Sequence, residues 1–334
     1  MANIIFKLLL IILLLIILGW TYPYSSEHKG DIGNYLAVYC IYMASAFLRK
    51  KHFRFTYIDK PFLKNLPLYI KFNKDIYDKL IKEGFTYIKL NLLGKASFWV
   101  IKNNKREKFW LIMKPLMKEI IDETLKKSGL YEQGLYPVIH FRCSDVPFIK
   151  HDVYKLQKYT FYKDSLEKIK SKNGINYDTV ILLTSPIHRS TNKNREACEL
   201  YTQTLKKYIE SIGYKVIIQS KSADQDFATL FYAPAVISSG SSFSFMSGFF
   251  SDGLFISEGH ASHCTDCDDW LVHGYSIDHK NVKSYHDTDN VISLLNEPFI
   301  QPITHTTHNL CDIMIKIYAY MLIHRFTTYL QELK

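Results

Sequence analysis

The chain has 334 residues, of which 47% are apolar, 15% aromatic and 22% charged, and 42 basic against 32 acidic side chains leave a net charge of +10. This composition excludes a disordered, collagen-like or small disulfide-scaffold protein, and the length accommodates two domains or one large α/β domain. The basic excess suits an anionic ligand, nucleic acid or anionic lipid without choosing among them.

Residues 8–18, LLLIILLLIIL, are unbroken aliphatics; with Ile4, Ile5, Phe6, Gly19 and Trp20 the apolar stretch reaches about 16 residues, interrupted by Lys7. No small-x-small cleavage site follows, so the stretch reads as an uncleaved signal anchor. A cleaved signal peptide and a buried core segment are the alternatives. Trp20, Tyr22 and Tyr24 would form the interfacial aromatic belt. The expectation is a single-pass type II membrane protein of the secretory pathway, in the Golgi, with a bacterial or viral origin left open. No Asn sits in an Asn-x-Ser/Thr sequon, so no glycosylation signal marks a luminal face.

Gly30-Asp31-Ile32-Gly33-Asn34-Tyr35 opens a largely apolar helix over 32–50. Its glycines let backbone approach a ligand and Asn34 presents an amide at the helix start; a plain capped helix start is the alternative. A strand follows at 53–57, and amphipathic helices at 73–84 and 107–128, the second with a kink at Pro115.

From residue 136 the pattern changes to strand–helix alternation. Strands are expected at 136–142, 178–185, 214–220, 234–239 and 253–257. Helices are expected at 160–171, 195–213 (closed by Gly213), 224–233 and 242–250, with a last one at about 305–332. Short apolar strands alternating with helices predict a parallel, doubly wound sheet.

The first expected strand of that sheet delivers His140, Arg142 and Asp145 to its carboxyl end, the edge where open α/β sheets bind ligands. The chain has only seven Arg against its many Lys, so each Arg is a place to look for bidentate recognition. A strand-end ion pair with a satisfied His is the alternative. Ser238-Ser239-Gly240-Ser241-Ser242-Phe243-Ser244 lies between a buried strand and a helix, a turn that exposes amides and hydroxyls to an anion. It has neither the Walker lysine nor the dinucleotide glycine spacing, and a simple Ser N-cap is the alternative.

The six cysteines cluster only at Cys264 and Cys267. That loop, with His263 and a distant Cys311 or His308, offers half a zinc site; a disulfide involving it and unpaired thiols are the other readings.

Taken together, the three constellations resemble the fucosyltransferase superfamily of α1,2-, α1,6- and protein-O-fucosyltransferases. Gly30 to Tyr35 is similar to its Gly-Gly-x-Gly-Asn-Gln loop, and His140-x-Arg142-x-x-Asp145 to its His-x-Arg-x-x-Asp motif. Asp226-Phe227 with Ala235 to Ser244 is similar to its carboxyl-terminal segment. Order and rough spacing agree over about 30–260. Asp31 stands in place of the second Gly, Tyr35 in place of the Gln and Cys143 in place of a frequent second Arg.

The resemblance implies an α/β, GT-B-like fold: two Rossmann-like domains facing a cleft, preceded by the membrane helix. The segments would be 1–24 (anchor and stem), 25–135 (acceptor-side domain), 136–300 (nucleotide-sugar domain) and 301–334 (a helix packing back). It implies inverting transfer of a sugar, fucose by this likeness, from a GDP-sugar to a glycan or glycoprotein hydroxyl. Neither a metal nor another cofactor is expected, and nucleic acid is not an expected partner.

By position Arg142 would hold the β-phosphate, His140 the nucleotide and Asp226 the guanosine side. Ser241, Ser242 and Phe243 would cradle the diphosphate, with Gly33 and Asn34 near the sugar or phosphate. The general base is sought just after the Arg strand. A carboxylate paired with Arg142 becomes a poorer base, which makes Asp145 an orienter of the motif; His151 matches neutral pH and Asp152 is a further alternative. His188-Arg189 is either a second phosphate contact or a surface pair. The alternatives in function are a transferase using another nucleotide sugar and a non-catalytic glycan-binding protein of the same fold.

Overall fold

The computed structural model describes residues 32–55, 63–86, 103–143, 156–157, 159–185 and 192–257. The expected anchor, the segment 301–334, the base candidates Asp145, His151 and Asp152, the pair His188-Arg189 and the Cys264–Cys267 loop lie outside these residues. No helix among the described residues is long and apolar enough to cross a membrane.

Helix α1 (Ile32–Leu48) leads. It is apolar on nearly every side, and such a helix must be buried all round; in its first turns only Asn34 is exposed. A two-stranded antiparallel ribbon follows, β1 (Phe53–Arg54) with β2 (Tyr69–Ile70). Helix α2 (Lys74–Lys82) is capped by the Asn73 side chain, which accepts from the Ile76 amide. Helix α3 (Asn103–Lys127) runs without interruption through Pro115.

The described residues of the second half form a five-stranded sheet. Its strands are β3 (Val138–Phe141), β4 (Thr179–Thr184), β5 (Lys215–Gln219), β6 (Ala235–Ser238) and β7 (Leu254–Ser257). All pairings are parallel, in the order β5-β4-β3-β6-β7. Between them lie α4 (Tyr159–Asn173), α5 (Asn192–Ser211), α6 (Ala223–Tyr232) and α7 (Ser242–Ser244), the last continuing into a π-helical turn at Phe245–Phe249. The alternation read from the apolar runs is therefore present element by element. Gly213, at φ +100°, ends α5 as expected, with the Tyr214 amide reaching back to the Ile209 carbonyl.

Side-chain alternation along the strands divides the interior into two cores. Ile139, Phe141, Leu182, Ile237 and Ile256 pack with α4 and α5 on one face. Val138, Leu183, Val236 and Phe255 pack on the other face, with α6, the π turn and the helices of the amino-terminal half. The α/β class with a Rossmann-like parallel sheet is thus present in 136–257.

Of the expected second Rossmann-like unit, residues 25–31, 56–62 and 87–102 lie outside the described residues. Its described residues form α1, α2, α3 and the β1–β2 ribbon, with no parallel sheet among them. Tyr39, Met43, Phe47, Trp110 and Met117 need burial, and they obtain it in one continuous core with the sheet instead of in a core of their own.

Candidate functional site

In this sheet β3 leads outward through β4 to β5, and the chain then returns past β3 to build β6 and β7 on its other side. The order reverses between β3 and β6, and the carboxyl ends of two strands at such a reversal leave a crevice where open sheets place ligands. Here those ends are His140-Phe141-Arg142 and Ser238-Ser239-Gly240.

Two backbone links hold the edges together. The Arg142 amide donates to Ser239 Oγ at 2.8 Å, and the Ser239 amide donates to the His140 carbonyl at 3.2 Å. Arg142 is half-buried, with the backbone past the last ladder pair of β3. Beyond Ser239 the chain turns at Gly240, whose φ of +90° is a conformation few other residues adopt. The Gly240 amide donates to Ser238 Oγ, which shares a 2.7 Å hydrogen bond with Ser244 Oγ.

The serine-rich turn divides its labour. Ser241 caps α7: its hydroxyl accepts from the Phe243 amide at 3.1 Å, and its carbonyl accepts from the Phe245 amide. Ser241 is buried, so the N-cap reading applies to it, while Ser242 and Phe243 are half-buried at the crevice. The Phe243 ring packs on His140, with ring centroids 5.8 Å apart, and edge-on to Phe227, at 5.5 Å.

The start of α1 closes the same place. A Cβ placed on Gly33 would lie 2.4 Å from the Phe243 nitrogen and 2.4 Å from the Ser242 carbonyl carbon. Only glycine lets the two backbones approach this closely. Gly33, His140-x-Arg142 and Ser239 to Phe243 come from three separate stretches of chain and meet at one crevice.

His140 is buried, and its Nδ1 has no hydrogen-bond partner among the described residues. Burial, and then the Arg142 charge, push its pKa down to about 3, so the ring is neutral at ordinary pH. A buried ring nitrogen of this kind can take a hydrogen bond from a water or from a ligand group. Its weak basicity makes it a poor proton acceptor for catalysis.

Asp226 sits in the first turn of α6, buried and beside Phe227. It accepts from Gln219 Nε2 at 3.0 Å and from the Lys221 amide at 3.2 Å. Burial raises its pKa; these donors and the Lys221 charge oppose that, and nearby Glu132 adds to it. Gln219 Nε2 also donates to Thr229 Oγ1, which donates to Glu132 Oε2 at 2.8 Å. Sequence reasoning found Asp226 and missed Gln219, Thr229 and Glu132. The signal for Gln219 was a polar residue closing an apolar strand; Glu132 carried none, because it comes from the loop before β3.

One cysteine pair was also missed. Cys143, directly after Arg142, is disulfide-bonded to Cys198 of α5. Cys40 is a free, buried thiol. Among the described residues no group of three or more His, Cys, Asp or Glu is arranged to hold a metal ion.

No family model matches the chain, and no curated protein or solved structure matches it at a significant level.

Proposed function

We propose that this protein is a glycosyltransferase that moves a sugar, fucose by its motif likeness, from a GDP-sugar to a hydroxyl of a glycan or glycoprotein, with inversion. The observation that carries the reading is the convergence at one strand-order reversal of Gly33, His140, Arg142 and the serine turn. These residues were singled out separately by their likeness to fucosyltransferase motifs.

The chemistry of such a transfer fits the crevice. Negative charge grows on the departing diphosphate as the glycosidic bond breaks, and preorganised donors must meet it. Arg142 supplies a charged, planar fork and Ser242 a hydroxyl; His140 supplies a neutral ring nitrogen. Asp226, held by Gln219 and Lys221, offers acceptor oxygens to the amide and amine donors of a guanine. Asn34, exposed on the first turn of α1, stands at the mouth for the sugar or the acceptor. The proton of the acceptor hydroxyl is assigned to His151, with Asp145 and Asp152 as alternates.

A two-lobed GT-B arrangement, with 25–135 as the acceptor-side lobe, belongs to the same proposal. There the helical layer and ribbon stand where a second Rossmann-like sheet is expected. Membrane attachment through residues 1–24 and a place in the secretory pathway are likewise proposed. The Cys143–Cys198 disulfide supports them, since such bonds persist in oxidising compartments.

The test is a thermal-shift comparison of GDP, UDP and ADP, followed by donor turnover with GDP-sugars. A nucleotide at one hundred times its dissociation constant adds about 2.7 kcal/mol of stability. Stabilisation by GDP and not by UDP or ADP is the expected result; stabilisation by UDP alone moves the donor to another nucleotide sugar. GDP binding without turnover of any GDP-sugar would favour a non-catalytic protein of the same fold.

A further inference from the structure

Arg142 stands one residue beyond the hydrogen-bonded ladder of its strand. The β3–β4 ladder ends at Phe141 paired with Thr184, and the β3–β6 ladder ends at His140 paired with Ser238. The residue read above as the phosphate clamp therefore lies past both ladders, where strand ends fray. One tether is the Ser239 hydroxyl, which holds the Arg142 amide from the β6 side.

The second tether comes from behind. Alternation puts Phe141 and Cys143 on the opposite side of the strand from His140 and Arg142, in the core shared with α4 and α5. There Cys143 is bonded to Cys198, with 5.7 Å between the Cα atoms and 55 residues of intervening sequence. Cys198 is embedded in α5 beside Ala197, Tyr201 and Leu205 of the same core. The tie thus runs from a strand end to a helix that is itself packed.

We propose that the Cys143–Cys198 disulfide is the positioning device for Arg142. It fixes the backbone one residue beyond the clamp, so that the Arg142 backbone is ordered before the donor arrives. This rests on the reading of Arg142 as the phosphate clamp. Ordering the clamp in the free protein removes an entropy cost that binding would otherwise carry. Both sulfurs are buried, and thiol–disulfide exchange requires access. The bond is accordingly a permanent strap and not a redox switch. Cys143 and Cys198 touch no substrate; they act through Arg142.

The experiment uses the full chain and the variant Cys143→Val/Cys198→Ala, which keeps both sites apolar. A non-reducing peptide map first establishes the link. Amide hydrogen exchange is then followed at residues 141–143, with residues 216–218 of β5 as the internal reference, and GDP affinity is measured in parallel. The linked peptide is expected in the native chain. In the variant the Arg142 amide should exchange at least tenfold faster with the β5 amides unchanged, and GDP should bind at least tenfold more weakly. Absence of the linked peptide overturns the proposal. So does an Arg142 amide that exchanges at the native rate in the variant. A native chain that binds no GDP sinks the nucleotide reading instead, and the exchange result still decides whether the disulfide orders the clamp backbone. Where the double variant fails to fold, Cys198→Ser carries the same measurements.

Discussion

The amide of Arg142 is held by the hydroxyl of Ser239, 97 residues later in the chain, at 2.8 Å. The bond joins the carboxyl ends of two neighbouring parallel strands just where their ladder stops. Ser239 is buried, so removing its hydroxyl leaves a partly buried amide without its partner. Ser239→Ala is expected to cost about 1–3 kcal/mol of stability and to weaken GDP binding. Denaturant unfolding and a GDP titration check both. Unchanged values in the two measurements would show that this link does not organise the crevice.

Arg142→Lys keeps the charge and loses the fork. Turnover of the GDP-sugar should fall on the order of 10²–10³, about 2.7–4 kcal/mol of transition-state stabilisation, with the fold intact. Steady-state kinetics beside a circular dichroism spectrum decide it; a lysine variant with near-native turnover would remove Arg142 from the role of clamp.

Gly33→Ala is a steric test of the convergence. The added methyl meets the backbone of Ser242 and Phe243, which no side-chain rotation can relieve. Either α1 or the serine turn must shift, for about 1–3 kcal/mol, and the crevice opens. GDP affinity should fall at least tenfold in an otherwise folded protein. The neighbouring Asn34→Ala, at an exposed position, should leave stability within about 0.5 kcal/mol of native. Equal effects of the two substitutions on stability would argue against the close approach at Gly33.

His140 gives a pH signature. Its pKa is pushed down to about 3 in the folded chain against an ordinary value of 6.5, so between these values the unfolded chain binds the extra proton. The stability this ring contributes is complete above about pH 6.5 and is lost as pH falls toward 3, with a slope of at most about 1.4 kcal/mol per pH unit. Asp226, whose pKa is raised, acts in the opposite sense, favouring the folded chain as its carboxyl protonates. The comparison is therefore the difference between native and His140→Gln unfolding curves from pH 7 to 4, in which the Asp226 contribution cancels. The gap between them should narrow as the pH falls; a constant gap would mean that His140 is not buried neutral.

The strand–helix alternation was legible because the apolar runs PVIHF, TVILLT, KVIIQ, AVIS and LFIS are short and separated by helical stretches or by Gly and Pro. The crevice residues were legible as local motifs at expected strand ends. Their meeting was expected only through the family resemblance, because the strand order that brings them together is written in none of the three stretches. Nothing in the stretch around Ser239 says that β6 lies beside β3 and not beside β5. The Cys143–Cys198 pair was hidden for the same reason, joining a strand end to a helix across 55 residues. In the amino-terminal half, apolar segments such as 32–48 do not disclose in sequence whether they build a core of their own or complete another.

The packing of α1 also sets an order of assembly. This helix is the first described element to leave the ribosome, yet it is buried by Phe245, Phe249 and Phe250, which come near the end of the sheet. At about 5–20 residues per second, the roughly 200 residues between them take about 10–40 s to appear. For that interval the nascent chain carries an all-round apolar helix with only part of its permanent surroundings: β1 and α2 follow it directly, while the π turn does not yet exist. The same helix that brings Gly33 to the crevice is thus, among the described elements, one that waits incompletely covered during synthesis, and its native packing is not complete until the π turn has emerged.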